Sequence, residues 1–126
     1  MFQVSVEGTF AAAHFLRDHE GGCERLHGHN YRVAVTVVGP TLNGNGLLID
    51  FAEIKKLVND VMGRLDHRFL NEVPPFDALN PSTENIAKHF CDEISVRLPE
   101  EPRIRVGEVR VWETDTNSVS YRPRIS

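Results

Sequence analysis

A thiol and two imidazoles fall within seven residues in Cys23-Glu24-Arg25-Leu26-His27-Gly28-His29. Imidazole nitrogen and thiolate sulfur are donors that zinc prefers, tetrahedrally and at about 2.0–2.3 Å. His27 and His29 are spaced i and i+2. In an extended strand that spacing sends both rings off one side, so two nitrogens can converge on one ion. Gly28 between them adds no side chain to crowd it. A third candidate is His14. If a strand ending at His14 pairs in a hairpin with a strand starting near His27, three imidazoles close a site. Its fourth position stays open, the arrangement of catalytic zinc. The competing reading makes these histidines hydrogen-bonded loop residues. On composition and spacing alone the two stand level.

Cys23 has three readings. It is a fourth ligand that closes a structural site, or a free nucleophile or base whose pKa falls beside a cation, or a small loop residue. Gly21 and Gly22 give the backbone freedom to bring it close. Asp66-His67 places a carboxylate beside an imidazole, a pairing that tunes proton relays. Taken alone, the pair reads as a helix C-terminal histidine with a solvated aspartate. His19, in a polar loop, and His89, on a helix flank beside Lys88, are expected to be solvated. Cys91 shares a helix face with Ala87 and Ile94 and reads as a core thiol.

The elements that must position these residues follow from periodicity. Phe2, Val4 and Val6 alternate with Gln3, Ser5 and Glu7, a half-buried strand running toward His14, with a bulge expected at Gly8. "LRDHEGGCERLHGH" is polar and glycine-bearing, hence loop. "NYRVAVTVV" is β-branched and alternating, a second strand ended by the turn "GPTLNGNG". Asp50 caps a helix, with Glu53 completing a capping box. Phe51, Ile54, Leu57, Val58, Val61 and Leu65 mark its apolar face, and it should end near Asp66. "NEVPPFDALNP" is a proline-broken connector. A second helix starts between Ser82 and Glu84, with Ile86, Phe90, Ile94 and Leu98 on one face. Two strands close the chain, Ile104 to Trp112 and Val119 to Arg122, with "ETDTN" as the turn. The order ββααββ implies an α+β sandwich of one four-stranded antiparallel sheet with two helices on one face. Such a sheet leaves two open edges, which subunit pairing would cover.

The 126 residues fit one domain, spanning 1–126, large enough to fold around its own core. A formal charge of −4 offers no basic field for nucleic acid. The cations are mostly arginines, which suit phosphate gripping. No apolar run approaches a membrane span, and "MFQVSVEGTF" lacks the cationic start and apolar core of a secretory leader. Two cysteines in such different settings point to free thiols in a reducing cytoplasm rather than a disulfide.

Six segments in order, "FAAAH", "CERLHGHNY", "GLLIDFAEIK", "LDHRFLN", "NPSTENIA" and "VWETDTNSVSY", make the chain resemble the 6-pyruvoyltetrahydropterin synthase/QueD family along nearly its whole length. The resemblance implies the tunnelling fold, ββααββ, with trimers closing a twelve-stranded barrel and two trimers stacking into a hexamer. It implies zinc on His14, His27 and His29, and Cys23 as a catalytic base rather than a ligand. Asp66 and His67 become relay partners reaching the site across a subunit boundary. Glu113 in "WET" meets the pterin ring, where a carboxylate can accept two N–H donors at once. Without the resemblance, Glu113 reads as a turn glutamate facing water. Ser82, Thr83 and Glu84 are implied to help bind the ring. The substrate implied is dihydroneopterin triphosphate, its triphosphate held by arginines among which Arg17, Arg25, Arg32 and Arg68 are candidates.

Two outcomes are common in the family. Pyruvoyl-type enzymes stop after triphosphate loss and internal redox. QueD-type enzymes also cleave the side chain, releasing acetaldehyde and leaving 6-carboxytetrahydropterin for queuosine and related deazapurines. Three residues separate Cys23 from His27, which resembles the QueD pattern C-x-x-x-H-G-H and sets the preference. A third branch, active in folate synthesis, places a glutamate where the thiol sits; with Cys23 followed by Glu24 it is not favoured here. A zinc-stabilised pterin-binding module without catalysis is the alternative from another class.

Overall fold

The computed structural model describes residues 1–18, 25–100 and 103–124. The alternating sequences form β1 (Phe2–His14) and β2 (His27–Gly39), an antiparallel pair whose register runs unbroken from Phe2 opposite Gly39 to His14 opposite His27. Then come α1 (Phe51–Leu65), β3 (Arg68–Phe69), a short 3-10 turn at Leu70–Glu72, α2 (Thr83–Ser95), β4 (Arg105–Trp112) and β5 (Ser118–Tyr121). The fold is the expected α+β layering with one correction. The sheet has five strands, ordered β3-β1-β2-β4-β5, and β3 runs parallel to β1 at Ala12 and Ala13. Two residues are too few to carry a period-2 signal. The added strand forms because the chain reverses just after α1, at His67, whose φ is +58°.

No bulge interrupts β1 at Gly8. That glycine instead lies under α1, where an added Cβ would come within 2.6 Å of the Met62 methyl carbon. The irregularity is in β4, where the register against β2 shifts between Thr36 and Val37 and leaves Gly107 as the extra residue. A Cβ on Gly107 would sit 2.8 Å from Val38.

Asp50 caps α1 by accepting from the Ala52 N–H at 2.9 Å. It is an aspartate cap on the second helical amide; among the described residues the Glu53 carboxylate does not accept from the Asp50 N–H to complete the expected box, and Glu53 meets Asp50 only through its own backbone N–H, 3.1 Å from the Asp50 carbonyl oxygen. Ile54, Val58, Val61 and Leu65 are buried as the spacing predicts and Leu57 is partly buried; Met62 joins them unpredicted, and Phe51 is 60% exposed. Ser82 caps α2, accepting from the Asn85 N–H at 3.1 Å, and Ile86, Ala87, Phe90, Cys91 and Ile94 are buried. Both helices lie on one face of the sheet. They cover the even positions of β1 and the odd positions of β2, with Val106, Val109 and Val111 from β4, in one continuous core. Burying each such valine contributes about 1.5–3 kcal/mol.

The opposite face carries polar and charged groups. Ser5 and Thr36 hydroxyls are 2.7 Å apart, Arg32 pairs with Glu7 at 3.3 Å, and the Arg32 guanidinium lies 3.7 Å from the centre of the Trp112 ring. Along the outer edge of β1, β3 pairs only with Ala12 and Ala13.

Candidate metal centre and adjoining cavities

Register and alternation bring three histidines together. His14 is the last residue of β1 and faces the helices with Val6, Phe10 and Ala12. His27 and His29 open β2 with the phase of Tyr31, Val33 and Val35. Since His14 lies opposite His27 and Ala12 opposite His29, the rings meet at one corner of the sheet. Each offers one ligand atom, and these atoms lie within 4.8 Å of one another.

Backbone carbonyls set the orientation of two rings. His14 Nδ1 is 2.7 Å from the Pro81 carbonyl oxygen, and His27 Nδ1 is 2.9 Å from that of Arg25. A carbonyl oxygen only accepts, so each Nδ1 carries the proton and donates it. The Nε2 atoms of His14 and His27, 3.1 Å apart, therefore face each other with lone pairs. Two lone pairs at that distance call for a shared cation or proton. Outer carbonyls fixing the tautomer of metal-binding histidines are a general device of metal sites. The triad can therefore hold a metal ion. His14 is 1% exposed. Tyr31 closes the site from below, its ring stacked on Phe10 at 4.9 Å and its hydroxyl 3.2 Å from His14 Nδ1. Burial, with the Glu113 carboxylate adding to it, raises the Tyr31 pKa and keeps the phenol protonated.

Glu113 stands just past β4, and one of its oxygens is 3.2 Å from His29 Nε2. Its other oxygen accepts a 2.6 Å hydrogen bond from the Thr83 hydroxyl. Thr83, Glu84, Glu113, Asn117, Ser118 and Val119 line a cavity of about 210 Å³. Ser82 does not line it; its hydroxyl is the α2 cap.

Asp66 and His67 lie elsewhere on the chain. One Asp66 oxygen accepts from the Ala11 N–H at 2.9 Å and the His67 N–H donates to the Ala11 carbonyl at 2.6 Å, so the pair extends the sheet past the end of α1. The Ala11 N–H, with the His67 ring 3.0 Å away, holds the Asp66 carboxyl below its ordinary range. The His67 side chain is 83% exposed. With Arg68, Ala11, Gly28 and His29 it lines a second cavity of about 450 Å³, so one relay candidate, His67, and one triad member, His29, border the same space.

Cys23 and His19 lie outside the described residues. His89 corrects an expectation. It is half-buried against the Phe76 ring at 5.2 Å rather than solvated, and burial pulls its pKa down. Cys91 is the expected core thiol, and burial raises its pKa. Of the four candidate arginines, Arg17 donates to the carbonyls of Phe76 and Asn71, and Arg32 is engaged by Glu7 and Trp112. Arg68 lines the larger cavity, and Arg25 supplies the carbonyl under His27. Sequence reasoning placed the 71–81 connector but missed the Pro81 and Arg25 carbonyls, Tyr31 and the side-chain amide bonds of Asn71 and Asn80. Backbone acceptors leave no residue-type signal. The amide-bearing residues were legible only as turn formers.

The family model described as "6-pyruvoyl tetrahydropterin synthase" matches residues 3–124. Among curated proteins, the chain is 36% identical to "6-carboxy-5,6,7,8-tetrahydropterin synthase" of Bacillus subtilis, covering 98% of this chain and 86% of that one. It is 37% identical to "6-pyruvoyl tetrahydrobiopterin synthase" of Homo sapiens, covering 95% and 90%. The solved structure of Caenorhabditis elegans 6-pyruvoyl tetrahydropterin synthase superposes with a TM-score of 0.85 at 24% identity, covering 98% and 96%, which establishes the fold.

Proposed function

We propose, for a chain that belongs to the 6-pyruvoyl tetrahydropterin synthase family, that it is a zinc-dependent lyase converting dihydroneopterin triphosphate to 6-carboxytetrahydropterin, acetaldehyde and triphosphate. The observation that carries the reading is the pair of Nε2 atoms 3.1 Å apart, each ring fixed by a carbonyl on its far side. Three imidazole donors with a position left open are the donor set of catalytic zinc. Bound zinc acts as a Lewis acid toward substrate oxygen.

The remaining steps belong to this chain's side chains. Glu113, oriented by Thr83, accepts the N–H donors of the pterin edge, with Glu84 lining the same cavity and Ser82 holding Thr83 at the start of α2. Cys23, four residues before His27 in the sequence, takes a proton from the substrate side chain. His67, held by Asp66, returns a proton. Its exposure and its separation from the triad within one chain support a site completed between subunits. The polar open face and the largely unpaired outer edge of β1 support a homo-oligomer, a trimer or a dimer of trimers, that closes the sheets into a barrel. Arg68, which lines the larger cavity, and Arg25, whose carbonyl holds His27, are the arginines we assign to triphosphate. Among the described residues no helix is long and apolar enough to cross a membrane. The product proposed above would give the chain a cytoplasmic place in queuosine or related deazapurine synthesis.

Identity to the Bacillus and human relatives is nearly equal, so the preference for side-chain cleavage rests on the Cys23-x-x-x-His27-Gly28-His29 spacing. Mass spectrometry of the protein incubated with dihydroneopterin triphosphate tests it. Acetaldehyde with 6-carboxytetrahydropterin is expected, and Cys23→Ala should retain zinc while turnover disappears. A pyruvoyl product without acetaldehyde assigns the 6-pyruvoyltetrahydropterin synthase activity instead. No consumption assigns a pterin-binding module.

A further inference from the structure

After His14 the chain runs beside the connector that leads into α2, and side-chain amides join the two. Asn71 accepts from the Phe15 N–H at 3.0 Å and donates to the Phe15 carbonyl at 3.0 Å. Asn80 repeats the pattern on Arg17, accepting from its N–H at 2.9 Å and donating to its carbonyl at 2.9 Å. Each amide makes both bonds that a neighbouring strand would make. Arg17 grips in return, its guanidinium donating to the Phe76 carbonyl at 3.2 Å. The Asn80 carbonyl is itself held by the Ser82 N–H at 2.8 Å and by Asn85 Nδ2 at 2.9 Å. The next carbonyl along, that of Pro81, is the one that fixes His14.

We propose that Asn80 is a positioning residue for the metal centre: its clamp on Arg17 fixes Pro81 against His14 and so sets that ring's tautomer and aim. This rests on the reading of the triad as a zinc site. Asn80 ties the chain just after His14 to the residue just before its acceptor, so loosening it displaces both partners of the 2.7 Å bond. Asn43 provides a contrast. Its side chain accepts from the Asn45 and Leu47 N–H groups at 2.8 and 3.1 Å, past the opposite end of β2 from the histidines.

The test is the zinc dissociation constant of the full-length chain, measured by competition with a chromophoric chelator, beside the Tm of each metal-free protein. Asn80→Ala should bind zinc about 10–100-fold more weakly, the usual effect of losing an outer-shell partner. Asn43→Ala should lower Tm with zinc affinity unchanged. Asn80→Asp keeps the side chain's size and the bond from the Arg17 N–H but sets a carboxylate oxygen against the Arg17 carbonyl. It should weaken zinc as Ala does, and it carries the comparison if Asn80→Ala does not fold. Wild-type zinc affinity in either Asn80 variant, whatever its Tm, overturns the proposal alone. A wild-type chain that binds no zinc overturns the reading of the site and the proposal with it.

Discussion

Along the helix-facing side of β1 and β2, Val6, Phe10, Val33, Val35 and Val37 are enclosed by side chains of the two helices and the neighbouring strands. At the far end of the same strands, on the same face, His14, His27 and His29 meet carbonyl and carboxylate oxygens instead. One alternation rule places both sets. They differ in what satisfies them. An apolar side chain needs only volume, which any well-packed neighbour supplies. A buried imidazole needs an acceptor at a fixed distance, and leaving it without one costs about 1–3 kcal/mol. The apolar end is therefore built by regular elements. The polar end draws on irregular ones, Arg25 before β2 and Pro81 in the connector.

The two ends should respond oppositely to substitution. His27→Ala removes one of three donors, and elemental analysis should find the bound zinc gone, while the metal-free protein unfolds within a few degrees of the unsubstituted one. Ile54→Ala, a fully buried position in α1, should lower stability by about 2–5 kcal/mol and leave zinc affinity of the folded protein unchanged. Chelation of the unsubstituted chain should copy the first variant and not the second. If Ile54→Ala also loses zinc, the two ends are one cooperative unit and the contrast between them fails.

The same contrast explains what the sequence made legible. The helices, four of the strands and the His14–His27–His29 grouping follow from period and from one hairpin register, because each repeats a signal over many residues. Strand β3 and the exposure of Phe51 escaped, the first for its two-residue length and the second because periodicity cannot say where a helix outruns the sheet beneath it. The bulge went to Gly107 rather than Gly8 because a glycine also serves close packing, and composition does not separate the two uses. The Asp66–His67 pair read most simply as a helix end, and structurally it is one. Asp66 is the C-terminal cap of α1 while its side chain and the His67 N–H engage Ala11. The relay role proposed for it rests on the resemblance alone.

Glu113 lies between the two regimes, with one oxygen toward His29 and the other toward Thr83. Glu113→Ala should weaken binding of a pterin such as biopterin or sepiapterin by about 10–100-fold, as expected for hydrogen bonds to a charged group. Zinc content should hold, since three imidazoles remain. Equilibrium titration of the zinc-loaded protein measures this. Unchanged pterin affinity would remove Glu113 from the binding site and leave it as a partner of His29.

The smallest effect concerns the one described histidine that the site does not use and the apolar layer half encloses. His89 on α2 rests on Phe76, and burial pulls its pKa below the ordinary 6.5. Glu93 and Asp92 on its own helix oppose the shift, and Arg64 on α1 adds to it. A base whose folded pKa is depressed takes up protons more readily when unfolded, so stability rises with pH across the window below 6.5 and is lost as the pH falls through it. His89→Gln removes the titrating group. Its stability, measured by urea unfolding from pH 7.5 down to pH 5, should fall less steeply than that of the unsubstituted chain, by an amount under about 1 kcal/mol. Parallel curves would mean that water reaches the ring freely, and that the apolar layer ends at Phe76 rather than beyond it.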